Sequence, residues 1–317
     1  MVSPAPPTSA LGNGVTAQRW ARILRELGHQ VVTDERYVPG TYSALVALHA
    51  AKSAAAVQAF RAAHPHAPIV LALTGTDLYP DLASTGVNPA VLGAADRIVV
   101  LQPAGLDQLD DELRARATVI IQSVPSMARS APRRDAFEVA LLAHIRPVKD
   151  PMLAAEATRL LPADSRVVVT HVGAGLDEEL TECCRAESAA NTRYDWLGEL
   201  PRDAALGVIA RSRLLVLPSR HEGGANVVSE ALAAGVPVLA SSIPGSVGLL
   251  GEDYPGYFAA GDAVGLADAL HAAESDRDGY YAELTARCDR LRPMVDPQRE
   301  RAAWSHLLAD LSVAVPV

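Results

Sequence analysis

Short apolar runs alternate with amphipathic stretches along the whole chain. The runs are rich in Val, Ile and Leu and lack polar alternation, which favours strands covered on both faces of a parallel sheet. The predicted strands are Leu45–Leu48, Ile69–Leu73, Arg97–Leu101, Thr118–Ile121, Phe137–Leu142, Arg166–Thr170, Leu214–Leu217 and Val236–Ala240. Their length and continuity distinguish them from the helical segments between them.

Helical spacing separates the predicted strands. Trp20, Ile23 and Leu27 fall on one helix face, and Gly28 follows at a position where helices often end. Residues 297–311 repeat this pattern near the end of the chain. Strands that alternate with helices imply right-handed crossovers, so the sequence predicts an α/β fold with doubly wound parallel sheets.

The stretch 126–134 is polar, basic and without a predicted strand, and it lies between two apolar strands. A length of 317 residues also fits two domains better than one. We therefore expect a Rossmann-like domain over 1–131 and a second one over 132–296, with the helix in 297–317 packing back on the first. Two such domains facing a cleft bind ligands at the carboxyl ends of their strands.

The first domain has an abrupt start. A Rossmann-like half opens with a buried strand, but only Met1, Val2 and Ser3 precede the Pro- and Gly-rich segment. Either this first strand is very short or the chain begins inside it.

The net charge of the chain limits the classes of molecule that it is expected to bind. The chain is 49% hydrophobic and carries 37 acidic against 28 basic residues, a net charge of −9. Such a balance disfavours nucleic-acid binding, which needs clustered cations to neutralise phosphates. The apolar runs are shorter than the roughly 18 residues that a membrane span needs. We expect a cytoplasmic protein with small-molecule substrates, no nucleic-acid or membrane partner, and a monomeric or homodimeric state.

The segment after the strand Leu214–Leu217 carries the most specific pattern. Gly223 and Gly224 precede a helix whose N-terminus favours anions, and glycines let backbone N–H groups approach a phosphate closely. Glu222 and Glu230 lie eight residues apart, which on a helix is roughly 10 Å. That distance suits a nucleotide-sugar, with one carboxylate on sugar hydroxyls and the other on ribose hydroxyls. The alternative is a solvated helix start with Glu230 on the exposed face.

The two glutamates and their flanks resemble the acidic motif of the retaining, family-4-like glycosyltransferases, which have the GT-B fold. A narrower resemblance, to the selenosugar synthases of selenoneine biosynthesis, rests on Gly12–Ala21, Leu73–Tyr79, Val99–Gln102, Glu222–Val227 and Gly248–Gly251. That resemblance implies joining selenium from selenophosphate to the anomeric carbon of a UDP-sugar such as UDP-N-acetylglucosamine. The broader resemblance to the family-4-like glycosyltransferases extends over nearly the whole chain.

A basic pair follows the first strand of the second domain. Arg146 and Lys149 are expected to stabilise the charge on departing UDP, as a basic pair does in the glycosyltransferase pattern. His144 stands where that pattern has a small residue and is a further binding candidate. Each of the three residues also has a structural alternative. Arg146 would only cap the end of the strand, Lys149 would be solvated, and His144 would pack at the strand end.

The Gly-rich loop at the start of the first helix suits an anion, either the donor diphosphate or an acceptor phosphate. Its candidate binding residues are Gly12, Asn13, Gly14 and Thr16. Arg19, one turn further, either adds a positive charge or lies on the surface.

Polar residues follow two other strands of the first domain. Asp77 is the first candidate for a group near the reacting centre, and Thr74, Gly75 and Thr76 precede it as binding candidates. The alternative for Asp77 is the N-cap of a short helix. Gln102, at the end of the next strand, is a further candidate for substrate binding.

The remaining candidates are expected to bind the nucleotide. The glycosyltransferase resemblance implies that the backbone of Leu197 and Gly198 contacts uracil, while Ala225 and Asn226 begin the helix that faces the diphosphate. We expect neither a cofactor nor a metal: no His/Cys group has zinc spacing, and 172–175 lacks the third glycine of a dinucleotide site.

Glu222, Asp77, Arg146 and Lys149 are thus the predicted catalytic residues. Two other functions remain open. One is a glycosyltransferase that uses a hydroxyl or thiol acceptor, and the other is a non-catalytic nucleotide-sugar-binding protein.

Overall fold

The computed structural model describes residues 1–6, 9 and 11–313 and divides the chain into two compact units. The first comprises residues 1–123, 222–224 and 297–317, of which 7, 8, 10 and 314–317 lie outside the described residues. The second comprises residues 124–221 and 225–296. Each unit contains its own parallel sheet.

The first unit is a parallel sheet in the order β1-β2-β3-β4, with a helix or turn between successive strands. Its elements are α1 (Gly12–Glu26), β1 (Leu45–Leu48), α2 (Ala54–Ala63), β2 (Ile69–Leu73), α3 (Pro89–Gly93), β3 (Arg97–Val100), α4 (Asp111–Ala115), β4 (Ala117–Val119) and α12 (Pro297–Asp310).

Both faces of this sheet are buried, as the continuous apolar runs predict. On β1, Leu45 and Ala47 belong to the hydrophobic cluster on one side, together with Phe60 of α2. Val46 and Leu48 point to the other side and join Trp20 and Trp304. The alternation follows from the two-residue period of a strand, so a run without polar residues fills two cores at once.

A buried carboxylate joins α12 to α1. Glu300 accepts hydrogen bonds from Trp20 Nε1 at 2.7 Å and from Arg19 Nε at 3.2 Å. It also accepts from the backbone N–H of Ser123 at 2.9 Å. Trp304, one turn along α12, packs edge to face on Trp20 with ring centroids 4.8 Å apart. The apolar contact and the charged network together fix the C-terminal helix within this unit.

The start of the chain differs from its sequence prediction in one respect. The Gly-rich segment was expected to be a loop, but α1 already begins at Gly12. Gly14 is buried in the first turn, where a Cβ would lie 2.5 Å from Ser9 Oγ, so close packing outweighs the low helix propensity of glycine. Before it, Val2 forms an isolated parallel bridge to Ala47 of β1.

The second unit is a parallel sheet in the order β7-β6-β5-β8-β9-β10. Its elements are β5 (Phe137–Leu142), α5 (Pro151–Arg159), β6 (Val167–Val172), α6 (Glu178–Ala190), β7 (Tyr194–Trp196), α7 (Arg202–Arg211), β8 (Leu214–Leu217), α8 (Asn226–Ala234), β9 (Val238–Ser241), α9 (Pro244–Leu250), β10 (Tyr257–Phe258), α10 (Ala263–Glu274) and α11 (Tyr280–Leu291).

This order has a single reversal point. The chain runs outward from β5 through β6 to β7, then returns to the other side of β5 and runs through β8, β9 and β10. In doubly wound sheets, ligands bind at the carboxyl ends of the strands where the order reverses. The loops that follow β5 and β8 therefore flank the expected ligand position in this unit.

None of the helices in the described part of the chain has the length and apolar character that crossing a membrane requires.

Candidate functional site

The loop after β5 carries the predicted basic pair. It forms a short 3₁₀ helix over Pro147–Lys149, whose last turn bonds Lys149 N to the Arg146 carbonyl at 2.9 Å. Asp150 then takes a left-handed conformation, with φ of 44°, before α5 begins. Arg220, in the loop after β8, pairs with Asp150 at 2.7 Å. The two loops at the reversal point are thus tied together within the unit.

Arg146 has a donor that the described residues do not satisfy. Its Nε is buried and makes no hydrogen bond to any of them. A buried guanidinium donor without a partner carries a desolvation penalty, which a phosphate oxygen would relieve. The position after β5 and this open donor both fit the predicted diphosphate contact.

A buried histidine organises the strand ends beside this loop. His171, on β6, has its Nε2 2.8 Å from the Ala143 carbonyl oxygen and its Nδ1 2.6 Å from the Tyr194 hydroxyl. The carbonyl only accepts, so Nε2 carries a hydrogen and Nδ1 accepts from Tyr194. Burial lowers the pKa of His171 to about 4. His171 is therefore a neutral brace between β5, β6 and β7.

Next to this brace, His144 Nδ1 accepts the N–H of Ala174 at 3.1 Å. The turn that contains Ala174 needs a glycine before it, because a Cβ at Gly173 would clash with the Ala143 carbonyl. The glycine-containing turn that resembles a dinucleotide motif therefore allows close strand packing. His144 takes part in that packing.

The predicted uracil-binding segment extends the same edge. Leu197 N donates to the His171 carbonyl at 2.9 Å, and the Gly198 carbonyl accepts from Gly173 N at 2.9 Å. Gly198 has a φ of 73°, a conformation that favours glycine. These bonds hold the segment in place, so a base contact here would use the Leu197 carbonyl and the Gly198 N–H.

The helix after β8 begins as the glycine pattern predicts. Ala225 is its N-cap residue and Asn226 its first helical residue. Glu230 lies one turn further and is only 5% exposed, so it does not lie on an exposed helix face. Its Oε1 accepts from Arg202 Nη2 at 2.7 Å. A buried carboxylate with one cationic partner remains able to accept hydrogen bonds from ribose hydroxyls.

In the first unit, the residues Glu222–Gly224 pack against the ends of β2 and β3. A Cβ at Gly223 would lie 2.6 Å from the backbone nitrogen of Gly75, and a Cβ at Gly224 would clash with the Leu101 side chain. Both positions therefore require glycine. Glu222, beside them, is 8% exposed. The structure thus brings Glu222 to the loop that carries Thr74 and Gly75.

Asp77 holds that loop together. It is fully buried, and its Oδ1 accepts from the backbone N–H of Thr74 at 2.9 Å and of Gly75 at 2.8 Å. Its Oδ2 accepts from Ala50 N at 2.8 Å. This is not the N-cap that the sequence suggested as the alternative, because the bonds run backward along the chain and across to the end of β1. The carboxylate shapes the loop, and its predicted catalytic role stays a prediction.

His49 is a candidate that sequence reasoning missed. It directly follows β1, is 5% exposed and takes a φ of 68°. Its Nε2 lies 3.1 Å from Thr76 Oγ1. Burial lowers the pKa of His49, against the opposing charge of Asp77. A histidine immediately after a predicted strand was the available signal, because carboxyl strand ends carry the chemistry of such sheets.

Gln102 lies in the same unit, at the end of β3, and is buried. Its amide nitrogen donates to the Tyr79 hydroxyl at 2.7 Å, and its Oε1 accepts from Gly105 N at 3.2 Å. Both ends of the amide thus serve the loop after β3. Substrate binding by Gln102 stays a prediction.

The first turns of α1 contain the remaining candidates. Thr16 Oγ1 donates to the Gly12 carbonyl at 2.9 Å and accepts from Gln122 Nε2 at 2.5 Å. The Asn13 carbonyl accepts from Ser3 Oγ at 3.3 Å. Gln122 is buried and was not among the sequence candidates. The one feature of the sequence that could have indicated it is its position as a polar residue directly after the predicted strand Thr118–Ile121.

Arg19 does not lie on the surface, which was one of the two alternatives that the sequence left open. It is 7% exposed, and its Nε is bonded to Glu300 as described for the fold. This ion pair directs at least part of the guanidinium toward α12. A contact of Arg19 with substrate stays a prediction.

Among residues 1–6, 9 and 11–313, no group of three or more His, Cys, Asp or Glu is arranged to hold a metal ion.

Known proteins share this architecture. The family described as Glycosyl transferases group 1 matches residues 126–290, about half of the chain. The 2-deoxystreptamine glucosyltransferase of Streptomyces kanamyceticus is 27% identical over 202 residues, which are 63% of this chain and 51% of that enzyme. The chain therefore spans about half the length of this curated relative.

Solved structures agree on the fold. HepE of Anabaena in complex with UDP superposes with a TM-score of 0.70 at 15% identity, covering 98% of this chain and 85% of HepE. The pneumococcal O-GlcNAc transferase GtfA in complex with UDP and GlcNAc gives a TM-score of 0.65 at 13% identity, covering 85% of this chain and 57% of GtfA. The expected GT-B fold, with two parallel-sheet α/β domains, is thus confirmed. The chain belongs to the glycosyl transferases group 1 family.

Proposed function

We propose that the protein is a selenosugar synthase. It transfers the sugar of a UDP-sugar, such as UDP-N-acetylglucosamine, to the selenium of selenophosphate and releases UDP. The observation that carries the donor half is the buried Nε of Arg146 at the reversal point of the second sheet, to which no described residue bonds. The acceptor half rests on the motifs that resemble the selenosugar synthases.

The donor assignment is supported by charge and by the neighbours. Arg146 and Lys149 stand in the loop that follows β5, where two cations are able to stabilise the negative charge growing on a departing diphosphate. HepE is similar in fold and binds UDP in its structure, and GtfA binds UDP and GlcNAc. A UDP-sugar is therefore the donor class that we assign to this chain.

The acceptor assignment is supported by the state of Asp77. Its two carboxylate oxygens bind three backbone N–H groups and shape the loop, so Asp77 is a poor general base. A hydroxyl acceptor needs a base to remove its proton, whereas selenophosphate offers selenium that is already anionic and nucleophilic. The chemistry of this loop suits the second kind of acceptor.

The proposed reaction has two steps, glycosyl transfer to selenium and hydrolysis of the selenium–phosphorus bond. Selenium forms a bond to the anomeric carbon while the bond from that carbon to the UDP oxygen breaks, and the electron pair leaves on the β-phosphate. Water then attacks phosphorus and breaks the selenium–phosphorus bond. Orthophosphate and the selenosugar, as its selenol, are released. Arg146, Lys149 and the N-terminus of α8 stabilise UDP during the first step.

A second candidate is a glycosyltransferase that acts on a hydroxyl acceptor. The Streptomyces relative supports it, because its name describes glucosyl transfer to 2-deoxystreptamine. In that case Glu222, which is buried beside the Thr74 loop, would have to provide the base that Asp77 does not provide.

The test is UDP release by the purified full chain with UDP-N-acetylglucosamine and either selenophosphate, orthophosphate or 2-deoxystreptamine as acceptor. We expect release with selenophosphate alone, and Glu222→Gln should reduce it while UDP still binds. Release only with 2-deoxystreptamine would assign the second function. UDP binding without turnover in any mixture would make the protein a nucleotide-sugar sensor.

A further inference from the structure

We propose that His49 is a positioning residue for the acceptor: it holds the hydroxyl of Thr76 so that its proton is directed to an oxyanion. This inference rests on the proposed function, because the oxyanion is the phosphate group of the acceptor. The juxtaposition follows from the topology. His49 directly follows β1 and Thr76 lies in the turn after β2, and these neighbouring strands are parallel, so their carboxyl ends meet.

The backbone at His49 is built for this placement. Its φ of 68° lies in the left-handed region, which residues other than glycine rarely occupy and which clusters at functional positions. The His49 N–H donates to the Ala72 carbonyl at 2.8 Å, and Ala50 N donates to Asp77 Oδ2 at 2.8 Å. These two bonds hold the ring against the Thr74–Asp77 turn.

The hydrogen bonds around the ring determine the direction of the Thr76 proton. Lys52 N donates to His49 Nδ1 at 3.4 Å, so Nδ1 accepts. Burial lowers the pKa of His49, so the ring is neutral and its single hydrogen is on Nε2. Nε2 therefore donates to Thr76 Oγ1 at 3.1 Å. The Thr76 hydroxyl accepts this bond, and its own hydrogen points away from the ring.

The surroundings favour a negatively charged ligand for that hydrogen. Thr76 is exposed, and the neighbouring Asp77 carboxylate is turned inward to backbone N–H groups. Lys52 is also exposed and close enough to lower the pKa of His49 by its charge. A donor hydroxyl suits a phosphate oxygen, and the positive charge of Lys52 near His49 favours an anion in this part of the unit.

The same turn adjoins the acidic motif. Gly75 and Gly223 are in direct contact within the first unit, since a Cβ on Gly75 would lie 3.7 Å from Gly223 N. Glu222, which we expect to bind sugar hydroxyls, is the residue directly before Gly223 in the sequence. The turn that carries Thr76 is therefore in contact with the segment that carries the acidic motif.

The experiment measures orthophosphate binding by calorimetry to the full chain saturated with UDP, so that the donor phosphate site is occupied. Thr76→Val and His49→Asn should each weaken phosphate binding about tenfold, the loss expected for one charge-assisted hydrogen bond. Asparagine is chosen because it tolerates the left-handed conformation. Thr76→Ser, which keeps the hydroxyl, should restore wild-type binding, and Thr41→Val, at an exposed loop position, should leave it unchanged.

Steady-state kinetics separate acceptor positioning by Thr76 from a purely structural role, because only positioning changes the KM of a single substrate. With selenophosphate as acceptor, Thr76→Val should raise the selenophosphate KM while the KM for UDP-N-acetylglucosamine and kcat stay the same. Wild-type protein with UDP that binds no orthophosphate, or a Thr76→Val variant that binds it equally well, overturns the inference. A parallel loss of UDP affinity also overturns it. Failure of selenosugar formation by wild-type protein that still binds phosphate through Thr76 refutes only the proposed function.

Discussion

His171 Nε2 lies 2.8 Å from the carbonyl oxygen of Ala143, in the interior of the second unit. Because that carbonyl only accepts and Tyr194 donates to Nδ1, the ring carries a single proton, on Nε2. A second proton would break the Tyr194 bond and place a charge in a site where His171 is 0% exposed. The brace is therefore stable only while the ring is neutral.

This relationship predicts acid sensitivity. Burial lowers the pKa of His171 from 6.5 to about 4, so between these values the unfolded chain binds the proton and the folded chain does not. The free energy of unfolding should fall as the pH drops through this window, by about 3 kcal/mol in total. Urea unfolding at several pH values from 6.5 down to about 4 measures it. His171→Gln should flatten the dependence, while His306→Gln, at an exposed position of α12, should not. An equal slope in His171→Gln and wild type would contradict the assignment.

Glu300 should be a major source of stability in the first unit. Glu300→Ala leaves the buried Arg19 without its carboxylate and Trp20 without its acceptor, which should cost about 3–5 kcal/mol of unfolding free energy. Arg299→Ala, on the exposed side of the same helix, should change it by less than about 0.5 kcal/mol. Chemical denaturation of both variants tests this. A small effect of Glu300→Ala would show that Arg19 finds its partner elsewhere.

Arg146 should affect turnover more than folding. Arg146→Ala removes a donor that no described residue satisfies, so stability should hardly change, whereas UDP release should slow about a hundredfold. Arg166→Ala is the matched control, since Arg166 is exposed at the opposite end of the sheet, just before β6. Steady-state kinetics and thermal melting of both variants separate the two effects. Full activity in Arg146→Ala would remove the residue from the site.

Glu230 and Arg202 should contribute unequally to nucleotide affinity. Glu230→Gln should weaken UDP binding about tenfold, because a charged acceptor for ribose hydroxyls is lost. Arg202→Gln should change it less than about threefold, because Arg202 is 46% exposed and its ion pair is worth little. Calorimetric titration with UDP checks both. Equal losses in the two variants would mean that the ion pair, and not the carboxylate, forms the binding group.

The strands that were predicted with the correct bounds are those with continuous apolar runs. The bounds of β1, β2, β5 and β8 are confirmed residue for residue, because each is buried over nearly its whole length. The edge strands β7 and β10 were not predicted. They are short and aromatic, and Asp195 is exposed, so no apolar run marks them. Gly12–Thr16 were expected in a loop because glycine disfavours helices, and only tertiary packing shows otherwise.

The site was less predictable than the fold. Local sequence patterns made Glu222, Arg146 and the glycine pair candidates, because a carboxylate beside two glycines at a helix start, and a basic pair after a strand, suit a nucleotide-sugar. His49 and His171 lie in no local motif. Their partners, Thr76 and Ala143, are 27 and 28 residues away in sequence and are brought near by parallel strand pairing. Such contacts follow from register, which the sequence pattern alone does not specify.

The most direct test of the central claim is the bond in the product. The full chain would be incubated with selenophosphate and UDP-N-acetylglucosamine labelled with heavy carbon at the anomeric position. Selenium NMR of the purified product should then show coupling between selenium and the labelled carbon, together with one UDP released per selenosugar formed. A product in which the labelled carbon is bonded to oxygen, or UDP release without a selenium-containing sugar, would contradict the account.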